Sequence, residues 1–180
     1  MSTQNINEVQ SFSLIYSFFN DTHETEIKMM VNGENILAFR REDQILTTRC
    51  NLDELALWLR DFLDHLGEYP YPVDVNGEYA AIKDINARDF DTEDDDEFDA
   101  YYDKLDDWNI RHRWHPASGG SILADLYFQL VEDNIEISLN NQEPEEGVKF
   151  RYKLGGVKVE KEQFIEEFNL FLKAYANQWF

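Results

Sequence analysis

A chain of 180 residues with 43 % apolar and 14 % aromatic residues has the material for a packed core, so disorder is excluded despite a formal charge of −21. No run of about 18 apolar residues is present, which excludes a bilayer-spanning helix, and a pI near 4.3 argues against direct nucleic-acid binding, which needs a basic patch. The single cysteine, Cys50, excludes an internal disulfide; with a polar N-terminal segment unlike a secretory signal, it leads us to expect a cytoplasmic protein.

Phe12, Leu14, Tyr16 and Phe18 alternate with their neighbours, which predicts a half-buried strand over 12–19. Residues 26–31 run into Asn32-Gly33, the preferred dipeptide of a type I′ hairpin, so 35–40 is expected to return as a strand. Residues 44–50 read as a third strand. Asn51 then begins a helix, with Glu54 at the capping-box position. Leu52, Leu55, Ala56, Leu59, Phe62, Leu63 and Leu66 supply its apolar stripe, and Gly67 is expected to stop it.

Pro70 and Pro72 hold residues 68–73 extended, and residues 78–87 show no clear period. Phe98, Tyr101, Tyr102, Leu105 and Trp108 then recur at helical spacing, which predicts a helix with an aromatic inner face. Thr92 reads as its N-cap, and the acids from Glu93 to Glu97 suit the positive end of the helix dipole.

Strands are expected over 125–131 and 135–139, around a Glu132-Asp133-Asn134 turn. Val148, Phe150, Tyr152 and Leu154 alternate with Lys149, Arg151 and Lys153, which predicts one strand. Gly155-Gly156 is expected to turn into Val157–Val159, and a helix to follow over 160–175. The two ends of the chain can be overlaid, Glu26-Ile27 on Asp125-Leu126 and Leu55, Leu59, Phe62 and Leu63 on Phe164, Phe168, Phe171 and Leu172. That spacing suggests duplication, although sheet-then-helix order also arises without it. The expected class is therefore α+β: two similar units of antiparallel strands followed by a helix, 1–67 and 121–180. Segment 68–120, with the acidic helix, joins them within one compact domain.

The acidity is concentrated. Residues 84–107 hold twelve of the 37 acidic residues, opposed only by Arg88 and Lys104. Asp96, Asp99, Asp103 and Asp106 fall on one helical face, with Asp94 and Asp95 ahead of them. Such a field repels nucleic acid and anionic membrane and attracts basic proteins. A charge run is also what a solubilising helix face looks like. Here, however, the Lys or Arg that ordinary surface helices place at i+4 is nearly missing. Four residues of helix rise about 6 Å, close to the through-space separation of successive DNA phosphates, roughly 6–7 Å, so a DNA mimic is a second reading.

Other chemistry finds no footing. A calcium loop starting at Asp89 or Asp91 would put Asp94 or Asp96 where glycine is needed. His23-Glu24-Thr25-Glu26 lacks the second histidine of a zinc-protease motif, Ile27 standing in its place. His112 and His115 have no third ligand, and Pro116 ends any helix there. The cations of Arg111–His115 are expected to pair with the acids just before them. Cys50 reads as a small buried hydrophobe. We expect no catalytic residue, no metal and no cofactor.

Val31-Asn32-Gly33, NLDELALWLR at 51–60, Arg111-His112, Ala117, Gly119, and the runs 125–128 and 133–138 are similar, in that order, to an uncharacterised region preceding the peptidase part of some bacterial ImmA/IrrE-type proteins. Ala124 and Leu139 depart from that pattern, where Pro and Trp would be expected. The zinc motif of the peptidase is absent, so the resemblance implies no protease activity. It implies a bacterial or phage setting of conflict, regulation or stress, and a fixed structural role for Arg111 and His112.

The expectation from all this is a non-enzymatic acidic binding protein of the immunity or antitoxin kind, which blocks a basic effector: a toxin, nuclease or DNA-binding protein. A regulatory or sensor module derived from a larger protein is the third reading. Asp94, Asp95, Asp96, Asp99, Asp103 and Asp106 would carry the docking, with Tyr101, Tyr102 and Trp108 as aromatic anchors.

Overall fold

The computed structural model describes residues 8–66, 70–114 and 124–179. Gly67, His115, Pro116, Ala117 and Gly119 lie outside the described residues, as do the expected boundaries at 67 and 120. After β1 (Val9–Gln10), β2 (Phe12–Phe19) and β3 (Glu24–Val31) form a long antiparallel pair, Phe12 opposite Val31 and Phe19 opposite Glu24. Asn32 and Gly33 take φ of 49° and 78°, the left-handed pair that a type I′ turn demands.

The return strand is shorter than expected. β4 (Glu34–Asn35) ends after two residues. There the Asn35 side chain accepts from Leu37 N at 3.1 Å and its carbonyl accepts from Ala38 N at 3.3 Å. This local turn lifts the chain off β3. Phe39 enters another sheet as β5 (Phe39–Arg41), paired with β6 (Gln44–Leu46). Thr47 divides the strand expected over 44–50, its hydroxyl donating to Ile27 O at 2.9 Å. β7 (Thr48–Asn51) then rejoins β3. α1 (Leu52–Phe62) starts where Asn51 accepts from Glu54 N at 3.0 Å, and a 3-10 turn, Leu63–His65, extends it.

Next come α2 (Ala80–Ala87), α3 (Asp95–His112) and β8 (Arg113–Trp114). β9 (Leu126–Val131) and β10 (Asn134–Asn140) form the expected hairpin, with Glu132 at φ 58° in the turn. The alternation over 148–154 belongs to two strands. β11 (Val148–Phe150) pairs with β5, and β12 (Leu154–Glu160) pairs with β10. Asn141 parts them, its side chain donating to Tyr152 O at 2.9 Å. Gly155 and Gly156 sit within β12 rather than in a turn. α4 (Lys161–Trp179) closes the chain.

The fold is mixed α+β, with three sheets among the described residues, paired antiparallel except for β1 alongside β12. The two-unit plan is not confirmed. β5 from the first half pairs with β11 from the second, Phe39 opposite Phe150, and β1 adds to the edge of β12. Phe12 lies 5.1 Å from Phe164 between ring centres, and Leu14 N donates to Glu167 Oε2 at 2.8 Å, so α4 seats on β2. Ile27, Leu55, Phe128 and Phe164 belong to one core. A second, smaller core gathers Tyr71, Ala80, Ala81, Leu105 and Trp108 against Tyr127 of β9. The segment expected to be a linker therefore packs onto the five-stranded sheet.

Phe164 is fully buried at the point where β2, β9 and α4 meet. Phe164→Ala is expected to cost about 3–5 kcal/mol and to shift one unfolding transition seen alike by far-UV circular dichroism and tryptophan fluorescence. Two separate transitions would mean that the halves unfold independently.

Candidate functional site

α3 is capped two residues later than the sequence suggests. The N-cap is Asp94, whose carboxylate accepts from Glu97 N at 3.1 Å. Thr92 supports it from outside: its hydroxyl accepts from Asp94 N at 3.3 Å and donates to Glu97 Oε2 at 3.0 Å. Asp95, Asp96 and Glu97 occupy the first turn, where unpaired backbone N–H groups favour negative charge.

The inner face is rotated toward the C-terminal end. Leu105, Trp108, Asn109 and His112 are buried, whereas Phe98 is 40 % exposed. Trp108 stacks on His112 at 4.5 Å and meets Tyr71 edge-on at 4.8 Å. At 2 % exposure it is part of the second core and cannot be a surface anchor. Tyr101 and Tyr102 are half-buried, and their hydroxyls are engaged within the chain. Tyr101 donates to Ala87 O at 3.1 Å, and Tyr102 lies within bonding range of Arg88 O and Phe90 O, at 3.0 and 3.2 Å. They tie α3 to carbonyls at the end of α2 and in the turn that follows it.

The carboxylates face outward. Asp94, Asp95, Asp96, Asp99, Asp103 and Asp106 are all exposed. None of them forms an ion pair with another described residue. The nearby cations are used elsewhere. Arg113 was expected to pair with the preceding acids; instead it grips Asp125 with two bonds, 2.7 and 3.0 Å. Arg111 Nε donates to Asp107 O at 3.0 Å. Ile110, 59 % exposed, continues the Asp99–Asp103–Asp106 stripe at the next helical step.

A buried network holds this helix, and it turns on an acid within the charged run 84–107. Asp84 of α2 is 3 % exposed. Its Oδ1 accepts from Asn109 Nδ2 of α3 at 3.1 Å and from the Tyr71 hydroxyl at 3.4 Å. Its Oδ2 lies 3.1 Å from the Tyr127 hydroxyl of β9 and accepts from Arg88 Nε at 3.2 Å. Tyr127 also lies 3.2 Å from Asp125, so two carboxylates flank one hydroxyl and two guanidinium groups balance them. Burial raises the pKa of Tyr71 and of Tyr127, and the neighbouring carboxylates add to the shift, so both rings stay protonated donors. The one signal that could have found the site is Asp84 itself, three residues before Ala87 and four before Arg88 on an Ala-rich helix.

His112 is fully buried, with Nδ1 3.0 Å from Phe128 O, and burial lowers its pKa to about 4. Its role is structural. Among the described residues no group of three or more His, Cys, Asp or Glu is placed to hold a metal ion. Cys50 is buried, and burial pushes its thiol up to about 12, which leaves no thiolate near neutral pH. No helix among the described residues is long and apolar enough to cross a membrane. In comparisons with known proteins, no family model, no curated protein and no solved structure matches this chain.

Asp84→Ala strips the shared acceptor from four donors. It is expected to cost about 3 kcal/mol by denaturant titration, the low end for breaking a buried pair because Arg88 is half-exposed. His112 adds a pH dependence. Below pH 6.5 the unfolded chain takes up a proton that the folded chain refuses until about pH 4. Stability therefore falls as pH drops through this window, by about 3 kcal/mol from this group. The difference in unfolding free energy between the wild type and His112→Gln should shrink over that interval; a constant difference would show that His112 does not titrate there.

Proposed function

We propose that this chain is a non-enzymatic binding protein that docks a basic protein against the carboxylate face of α3, in the manner of an immunity or antitoxin inhibitor. The observation that carries this reading is the pairing of exposed, unpaired carboxylates with a helix fixed from behind by Asp84, Trp108 and the two tyrosine hydroxyls. A rigid acidic ridge loses little ordering entropy on binding, and its field speeds encounter with a cationic surface. Asp96, Asp99, Asp103 and Asp106 supply charge along one stripe. Phe98 and Ile110, the exposed apolar residues of the helix, supply contact area in place of the buried Trp108. One stripe matches a row of Lys and Arg better than it imitates the two strands of a duplex.

The test replaces Asp95, Asp96, Asp99, Asp103 and Asp106 with Asn, all exposed positions outside the cap. Affinity capture from the native cell at low and high salt should retain one basic protein on the wild type, release it with salt, and retain none on the variant. Association of the purified pair should slow by at least tenfold in the variant and lose most of its salt dependence. Equal capture by both proteins would end this reading. Competition by DNA for the captured partner would move it to mimicry.

A further inference from the structure

Away from the outer face of α3, a cleft of about 650 Å³ opens between the segment leading into α2 and the sheet, within the size range of small-molecule sites. Its floor is Gln129 of β9 and Glu136 of β10, 4 % and 2 % exposed. Glu136 Oε1 accepts from Ala80 N at 2.8 Å, and Oε2 accepts from Gln129 Nε2 at 3.3 Å. Burial raises the pKa of Glu136, while the Ala80 N–H, the Ser138 hydroxyl and the charges of Lys83 and Lys158 oppose that rise. A carboxylate offers only acceptors, so the bond from Nε2 sets the direction of the Gln129 amide. Gln129 Oε1 is thereby left buried with no hydrogen-bond partner among the described residues, a costly state for an acceptor.

The walls are preformed by two glycines. A Cβ on Gly156 would overlap the Tyr79 ring, so that ring lies directly on the β12 backbone. A Cβ on Gly77 would come within 2.7 Å of Lys83 Cγ and 2.8 Å of Lys83 N, so Gly77 lets the first turn of α2 close on the preceding chain. Lys83 from α2 and Lys158 from β12 line the cleft, and neither forms an ion pair with another described residue. Asp74 and Glu78 line it as well. With Glu136 they oppose a ligand that is only anionic, and the two lysines, Lys83 lying 6.0 Å over the Tyr71 ring, oppose one that is only cationic. The orphan acceptor has almost no accessible surface, so a ligand's donor reaches it only when the Gln129 side chain turns toward the cleft.

We propose that this cleft binds a small zwitterion of the amino-acid class, its ammonium donating to Gln129 Oε1 beside the Glu136 carboxylate and its own carboxylate held by Lys83 and Lys158. The site is separate from the docking face of α3, so the two readings stand or fall independently.

The test is thermal melting of the full chain with each of the twenty common amino acids in turn. Calorimetric titration of any that stabilises follows, together with its N-acetyl and carboxamide derivatives. At least one amino acid should raise the melting temperature saturably. Removing either its ammonium or its carboxylate should weaken binding at least tenfold, about one hydrogen-bonded charge. Lys158→Gln, at a half-buried rim position, should weaken it similarly. Gln129→Leu should abolish it; if that variant does not fold, Lys83→Gln takes its place. The multiple-Asn variant of α3 should bind the amino acid as the wild type does. The proposal is overturned by no stabilisation from any amino acid, by derivatives that bind equally well, or by binding that survives both lysine substitutions.

Discussion

A carboxylate cannot be taken out of water unless donors replace the water, and the middle of this chain is arranged around that requirement at Asp84. Its partners come from four places: Tyr71 before α2, Arg88 at the end of α2, Asn109 on α3 and Tyr127 on β9. Each brings an element whose position then follows from bond geometry rather than from apolar contact alone. Leu105, Trp108 and Ala81 fill the space that these bonds define. The second core and the pairing of β8 with β9 act with these bonds to hold segment 70–114 on the sheet.

The same arrangement explains how so much charge is tolerated. Acids of like sign on one helix repel, and such repulsion destabilises a compact state. α3 offsets it by placing Asp94 to Glu97 at its N-terminus, by burying Leu105, Trp108 and His112, and by tyrosine bonds to α2. The neighbouring arginines bind Asp84 and Asp125 rather than the exposed acids. The outward carboxylates are left available to an outside partner, and this is the physical content of the docking proposal. The cleft at Gln129 and Glu136 uses the other side of the same logic, a buried polar group whose partner is not supplied from within.

Two local signals were legible in full. Asn51 caps its helix and Asn32-Gly33 turns the first hairpin, since both depend on a few adjacent residues. The alternation from Val148 to Leu154 suggests one strand, because a period of two looks the same whether or not the chain changes sheets midway. The strands expected over 35–40 and 44–50 failed at Asn35 and Thr47, where side chains bond to backbone and compete with the ladder. Gly155-Gly156 looked like a turn, but Gly156 is small because Tyr79, distant in sequence, rests upon it.

By itself the sequence determined the α+β class, the long hairpin, the two long amphipathic helices and the acidic character of α3, because these follow from periodicity, capping and composition. Only the tertiary structure decided which aromatic residues face outward and which acid is buried. It also decided that β5 and β1 join strands of the far half. Those outcomes depend on which surfaces meet. Trp108 and Phe98 share a helix and a period, yet only Trp108 finds Tyr71 and His112 to pack against. Asp84 and Asp96 are alike in chemistry, yet only Asp84 lies where four donors converge.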